Sequence, residues 1–344
     1  MSADDEAETL TAAHGAGRAE MRSFLSETVL ERLGDPIADG VGLPALDDGA
    51  VLPDGDRSLV VTTDSHVVDP PVFPGGDLGR LGVAGTVNDL AAMGAVEPLT
   101  LTCGLVVEAG TPTDRIETIL DSMAETAEEC GVSVQTGDTK VLPPDDLDGI
   151  VLNTTGIGRI PRGEQLTSDG LSPGDRLLVT GPVGQHGIAL LAAREGFDFE
   201  TDLRSDVAPV NHLVAAAREA GTVTAATDPT RGGLATALTE LAARSGVGLV
   251  AEDRAVPVSG ATDSAAAVLG LDPKTVACEG RMVLGVAPED AESVLDAVRA
   301  TPGGEQAALI GDAVDDHTGR VVVDTGIGQR YLTEPSGQQL PRIC

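Results

Sequence analysis

Five aspartates stand beside small residues at the ends of apolar stretches: Asp48 in LDDGAVL, Asp64 in VVTTDS, Asp89 in TVNDLAAMGA, Asp138 in QTGDTKV and Asp228 in ATDPTRGG. Loops from several strands converge at such element ends. Carboxylates gathered there repel one another unless a cation compensates. Mg²⁺ suits the task, because it prefers oxygen ligands and bridges carboxylates to phosphates. One Asp in a D-P, D-G or N-D pair is an ordinary turn residue; five in these settings point to metal–nucleotide binding. Gly137-Asp138-Thr139-Lys140 reads as the turn after a strand, offering N–H groups, a hydroxyl and one of only two lysines. Arginine replaces lysine nearly everywhere else, so a retained lysine suggests a compact ammonium for phosphate contact or proton relay. Thr230-Arg231-Gly232-Gly233 opens a helix whose N–H groups suit an anion. The P-loop pattern is absent, as are G-x-G-x-x-G after a strand and the hydrolase G-x-S-x-G. His66, His186, His212 and His317 show no triad or ligand spacing, and His14-Gly15-Ala16-Gly17 is a glycine-rich lead.

Four cysteines occur, none with metal-ligand spacing. Cys103, Cys130 and Cys278 sit in apolar segments and read as small core residues. Cys344 is the final residue of the sequence, in Pro341-Arg342-Ile343-Cys344. A thiol on a mobile arm can accept a group at one site and carry it to another, and thiolate is a strong nucleophile near neutral pH. The adjoining terminal carboxylate disfavours the thiolate, so a cationic partner is expected. Exposed free thiols are liabilities, which favours a functional reading over an accidental one.

These groups need elements to carry them. Residues 1–40 read as a polar lead and a helix ending at Gly34. Strands are expected at 57–63, 99–107, 132–137 and 149–158, and helices at 78–95 and 114–130, the second with Thr113 as N-cap. Together they make an N-terminal domain over 41–160. Residues 161–176, rich in Pro, Gly and polar residues, read as a linker. A second α/β series follows over 177–331, with helices at 185–195, 206–220, 233–245, 259–269 and 288–300. Its strands are expected at 222–226, 247–251, 281–287, 307–314 and 320–324, after one opening at RLLVTG. Residues 332–344 have no period and read as an extended or mobile arm, able to span up to ~45 Å.

The chain has 344 residues with 55 acidic and 22 basic groups, a net charge of −33. Such a surface repels nucleic acid and anionic membrane. No apolar run reaches membrane-span length, and the N-terminus lacks a signal-peptide pattern. Aromatic residues are 1%, so the core must be Val, Leu, Ile and Ala. Acid excess spread along the chain with scarce lysine suggests a cytoplasm of high salt, where self-repulsion is screened.

In HGAG (14–17), TTDSHVVDPPVFPGGDLGRL (62–81), NDLAAMGA (88–95), GDTKV (137–141), TRGG (230–233), EGR (279–281) and the terminal PRIC, the chain resembles the HypE carbamoyl dehydratases of nickel–iron hydrogenase assembly. That family lies in the superfamily of aminoimidazole ribonucleotide synthetase and selenophosphate synthetase. The resemblance implies a mixed α/β, two-domain fold of that type and a homodimer formed by the N-terminal domain. It implies ATP bound with Mg²⁺ on Asp48, Asp64, Asp89, Asp138 and Asp228. It places nucleotide contacts at His14, Gly15, Thr63, Asn88, Gly137, Thr139 and Lys140, and a proton-handling pair at Glu279 and Lys140. A carbamoyltransferase, HypF, would load Cys344; the thiocarbamate would be dehydrated to a thiocyanate with ATP; and a HypC–HypD complex would receive the cyanide. The chain departs from the family at Arg18, Pro229 and Arg281, where Gly, Ala and Lys are usual. A selenophosphate synthetase would want a cysteine near the N-terminus, yet none precedes Cys103. A thiamine phosphate kinase has no use for a terminal cysteine. A non-enzymatic acidic scaffold is the reading from another class.

Overall fold

The computed structural model describes residues 9–10, 19–144, 146–147, 149–197 and 202–332. His14, Gly15, Arg18, Cys344 and the arm beyond Leu332 lie outside the described residues.

The chain enters through a broken helix: α1 (Ala19–Phe24), a π segment (Leu25–Leu30) and α2 (Glu31–Leu33), closed at Gly34 as expected. The first domain is a sheet in the order β1-β2-β7-β5-β6, from β1 (Ala50–Asp54), β2 (Arg57–His66), β5 (Pro98–Glu108), β6 (Val134–Leu142) and β7 (Ile150–Pro161). A short hairpin, β3 (Val72–Phe73) and β4 (Gly76–Asp77), precedes helix α3 (Leu78–Ala92). Asp77 caps α3 by accepting the N–H groups of Gly79 and Arg80. Helix α4 (Thr113–Glu129) lies against α3 so closely that a Cβ on Gly79 would meet the Ile119 carbonyl. Leu78, Leu81, Val83, Leu101, Ile119 and Leu152 fill the space between helices and sheet. One sheet face is thereby covered. The other is open, and edge strand β6 is exposed along nearly its whole length.

The second domain is a sheet in the order β14-β13-β10-β12-β8-β11-β9. In chain order it runs β8 (Arg176–Val179), α5 (Gln185–Arg194), α6 (Asn211–Ala220), β9 (Val223–Thr227), α7 (Gly233–Ser245), β10 (Gly248–Glu252) and α8 (Gly260–Leu269). β11 (Val283–Val286), α9 (Ala291–Ala300), β12 (Ala308–Val314), β13 (Val321–Asp324) and β14 (Gln329–Tyr331) complete it. Val, Leu, Ile and Ala build its cores, as the lack of aromatics requires. Ala91 and Ala92 of α3 pack with Leu213, Val214 and Ala217 of α6, so the cores meet across the domains. No helix among the described residues is long and apolar enough to cross a membrane.

The mixed α/β architecture is the one expected; several boundaries move. Thr113 is the first helical residue rather than the cap: extended Pro112 precedes it, and no side chain caps that helix. The helix expected over 206–220 begins at Asn211, because Ser205 and Ala208 donate instead to Pro74 and Glu279 carbonyls. Pro209 also disfavours helix at Ala208. The helix expected from 288 begins at Ala291. The strand expected at 132–137 is Val134–Leu142, paired in parallel with β5. Gly137 to Lys140 therefore lie within an edge strand, not in a turn after one. Residues 162–175 form no helix or strand, yet Leu166, Ser168, Leu171 and Asp175 are buried.

Candidate active site

Two elements and two loops converge where the domains face one another. Asp64 sits on β2, Asp89 near the end of α3, Asp48 on the loop before β1, and Asp228 on the loop between β9 and α7. Alternation along β2 puts Thr62, Asp64 and His66 on the covered side of the sheet, towards α3. Thr62 Oγ1 lies 2.8 Å from Asp89 Oδ2 and 2.9 Å from the Asp48 carbonyl, joining the two aspartates.

The Asp48 loop is held from behind. Leu46 takes a left-handed φ of 50°, and Arg244 at the end of α7 donates to the carbonyls of Ala45 and Leu46 and to Ser168 Oγ. Buried Asp47 faces the same guanidinium at 3.8 Å and accepts the Ser168 N–H. On the other wall, Gly232 and Gly233 have φ of 79° and 63°, which other residues rarely adopt. A Cβ on Gly233 would come within 2.5 Å of the Val276 carbonyl. This pair of glycines turns the chain so that α7 begins at the site. Between the walls lies a cavity of about 370 Å³, lined by Asp48, Asp228, Thr230, Arg231, Glu240 and Arg244 among others.

One carboxylate oxygen from each of Asp48, Asp89 and Asp228 lies within 4.8 Å of the others. Asp48 Oδ2 is buried without a hydrogen-bond partner among the described residues. An all-oxygen, all-anionic donor set with an unsatisfied buried acceptor fits a hard divalent cation such as Mg²⁺. Electrostatics agree. Burial, then Asp228 and Asp47, push the Asp48 carboxyl well above its ordinary range against the pull of Arg244. Burial, then Asp228, Asp48 and Asp64, do the same to Asp89. Burial and then Asp64 raise Asp228 to about 7, with Arg231 opposing.

These shifts fix a pH dependence. A raised carboxyl keeps its proton in the folded chain at a pH where the unfolded chain has released it. Its stabilising contribution is present at low pH and, for Asp228, is lost between the ordinary 3.8 and about 7. A cation can replace the proton only once it has left. Mg²⁺ is therefore expected to raise the melting temperature of the nucleotide-free protein strongly at ~pH 8 and little at ~pH 5. Melting curves at constant ionic strength check this; equal Mg²⁺ effects at both pH values would contradict a metal site at these aspartates.

Of the residues expected to gather, Asp48, Asp64, Asp89 and Asp228 do. Asp64 lies beside the cluster, its Oδ2 3.8 Å from His66 Nδ1. Asp138 does not: it lies on β6, three strands from Asp64 and so roughly 14 Å away. It is exposed and paired at 2.7 Å with Lys140 Nζ. Lys140 thus makes no ion pair with Glu279 among the described residues, and the expected proton-handling pair does not form within one chain. Thr63 points to the open face of the sheet, bonded to Asn153 and Thr155. The register places Asp138 and Lys140 on that open face too. Gly137 and Thr139 share the exposed edge strand. Asn88 is not presented to a ligand. Its buried amide donates to the Ala208 and Glu279 carbonyls and accepts the Val210 N–H, joining the two domains.

Glu279 is buried, and its Oε1 has no hydrogen-bond partner among the described residues. Burial, then Asp228, Asp206 and Asp64, push its carboxyl well up, and Arg231 opposes them. The internal cysteines are poor nucleophiles. Burial raises the thiols of Cys103 and Cys278, and burial with Glu129 raises Cys130 to about 12. None is a thiolate near neutral pH. Sequence reasoning missed Arg244 and Asp206. Arg244 has the faint signal of a basic residue in the last turn of a helix; Asp206 has none.

Known proteins resemble the chain over nearly its full length. The AIR synthase related N-terminal domain model matches residues 46–160, and the C-terminal domain model matches residues 172–324. Carbamoyl dehydratase HypE of Azotobacter vinelandii is 43% identical over 333 residues, covering 96% of each chain. A HypE crystal structure in complex with ATP is 39% identical, with a TM-score of 0.81 over 98% of this chain and 100% of that one. A crystal structure of a HypE–HypF complex matches at a TM-score of 0.84 and 36% identity, covering 91% of this chain and 100% of the other.

Proposed function

The chain belongs to the HypE family of carbamoyl dehydratases, and on that premise we propose how its residues perform the reaction. It is an ATP-binding enzyme of hydrogenase maturation, and HypF is its partner. Cys344 accepts a carbamoyl group from HypF, giving a thiocarbamate. The amide oxygen attacks the γ-phosphate of ATP and leaves as inorganic phosphate. Both protons leave the nitrogen, and an S–C≡N group remains on Cys344. A HypC–HypD complex then receives the cyanide.

Asp48, Asp89 and Asp228, with Asp64 beside them, would hold Mg²⁺, which would supply neutralisation of triphosphate charge there. Arg231 and Thr230 line the same cavity, where the guanidinium and the hydroxyl would meet the phosphates. The observation that carries the reading is Glu279, a buried carboxyl with a free oxygen among the acids of the site. A carboxyl near its ordinary range would hardly take a proton at pH 7. Burial and its neighbours make Glu279 a better proton acceptor, as loss of the nitrogen protons demands. Glu279→Gln should leave carbamoylation of Cys344 intact and slow water loss by roughly 10²- to 10⁴-fold. Intact mass reads both steps, and normal thiocyanate formation by that variant would eliminate Glu279 as the acceptor.

The chain pairs with a second copy over the open sheet face, as the family resemblance implies. Support comes from β6, exposed over nearly its whole length, and from Asp138 and Lys140, too far from their own aspartate cluster to join it. A dimer over this face brings them towards the partner's site. The net charge of −33 fits a cytoplasm of high salt.

A further inference from the structure

Asp206 is a buried carboxylate that the reaction scheme leaves without a task. Its side chain is fully buried, and its Oδ2 has no hydrogen-bond partner among the described residues. Its Oδ1 accepts the backbone N–H of Glu279 at 3.3 Å. The two segments touch: a Cβ on Gly280 would collide with the Asp206 carbonyl. The Glu279 carbonyl accepts from Ala208 N and Asn88 Nδ2, so the Glu279 backbone is held on both sides. Asp206 Oδ2 also lies 3.7 Å from Arg281 Nε. Arg281 is largely buried and spends its donors on the Pro182 carbonyl, the Gly280 carbonyl and Gln185 Oε1. A cation thus sits two residues from Glu279 and is balanced by Asp206.

We propose that Asp206 is the positioning residue of Glu279: it fixes the Glu279 backbone and holds the Arg281 guanidinium, so that the Glu279 carboxyl stays unpaired for the proton step. The proposal rests on the reading of Glu279 as proton acceptor. Opposite charges attract far more strongly in a buried site than in water, and an unbalanced buried guanidinium turns to the nearest carboxylate. A Glu279 locked to Arg281 would be held as carboxylate with its proton affinity lowered. Among the charged groups acting on Glu279, Asp228, Asp206 and Asp64 raise its proton affinity and Arg231 lowers it, so the Asp206 charge also acts on Glu279 directly.

The test uses the full chain loaded by HypF with carbamoyl phosphate and ATP, with intact mass following carbamoylation and water loss separately. Asp206→Asn keeps an acceptor for the Glu279 N–H but removes the charge. It should be carbamoylated normally, bind ATP normally and lose water at least about tenfold more slowly. Asp206→Asn with Arg281→Gln replaces the buried pair by two neutral amides and should recover most of the lost rate, which a merely structural role would not produce. Wild-type dehydration by Asp206→Asn, or a double variant as slow as the single, would overturn the proposal. Glu279→Gln run alongside separates the two ideas. If it dehydrates normally, the proton-acceptor reading itself fails. If it stalls while the Asp206 variants behave otherwise than expected, only the positioning role fails.

Discussion

Cys344→Ala protein should bind ATP as the wild type does and form no thiocyanate at all. The expectation is total because the cysteine carries the substrate: without the sulfur there is no thiocarbamate to dehydrate. Nothing else in the described chain substitutes. Cys278 is fully buried, Cys130 is pushed to about 12, and Cys103 is raised by burial. On the proposed reading ATP affinity depends on the aspartate cluster and the cavity beside it, whose residues Cys344→Ala does not alter. Mass analysis of the C-terminal peptide after incubation with HypF, carbamoyl phosphate and ATP reads the outcome. A carbamoyl or cyano mass on the variant would show that another group is the acceptor.

The second large effect concerns the metal. Asp48→Asn and Asp89→Asn keep side-chain shape and remove one charge each from oxygens that lie within 4.8 Å of one another. Each should weaken ATP binding in the presence of Mg²⁺ by about tenfold or more, ~1.4 kcal/mol, and alter binding without Mg²⁺ much less. Asp138→Asn separates the single chain from the pair. If a second copy supplies Asp138, this variant also loses affinity, and mixing it with Asp48→Asn restores some sites, since mixed dimers carry one unaltered site. Titration of nucleotide against single and mixed variants checks both points. Unchanged affinity in Asp89→Asn would contradict a metal at the cluster, and mixtures no better than their parents would contradict a site shared between copies.

Much of this architecture is legible in the sequence because local pattern and tertiary packing agree. The alternating strand over 57–63 and the small-residue helix after Asp77 have strong local signals, and both carry site residues. Asp48, Asp64, Asp89 and Asp228 stand out only together: any one of them reads as an ordinary turn residue, but several acids at the ends of apolar elements point to a shared site. Where the reading goes astray, the cause is a contact that local pattern does not encode. Gly137 to Lys140 look like a turn, yet pairing with β5 draws them into a strand. Thr63 and Asp64 are neighbours in sequence, but the pleat sends them to opposite faces. Asn88 lies beside Asp89 of the aspartate cluster and spends its amide on two carbonyls of the other domain. Asp206 has no local signal, because its partners are 73 residues and more along the chain.

The central claim is that this chain converts a carbamoyl group on Cys344 into a cyano group at the expense of ATP. Intact mass of the carbamoylated full-length protein, recorded before and after addition of ATP with Mg²⁺, tests it most directly. The account predicts loss of one water per chain, confined to the C-terminal peptide, absent with a non-hydrolysable ATP analogue and matched by one phosphate released. A carbamoylated chain that keeps its mass while ATP is hydrolysed, or that loses water without ATP, would contradict it.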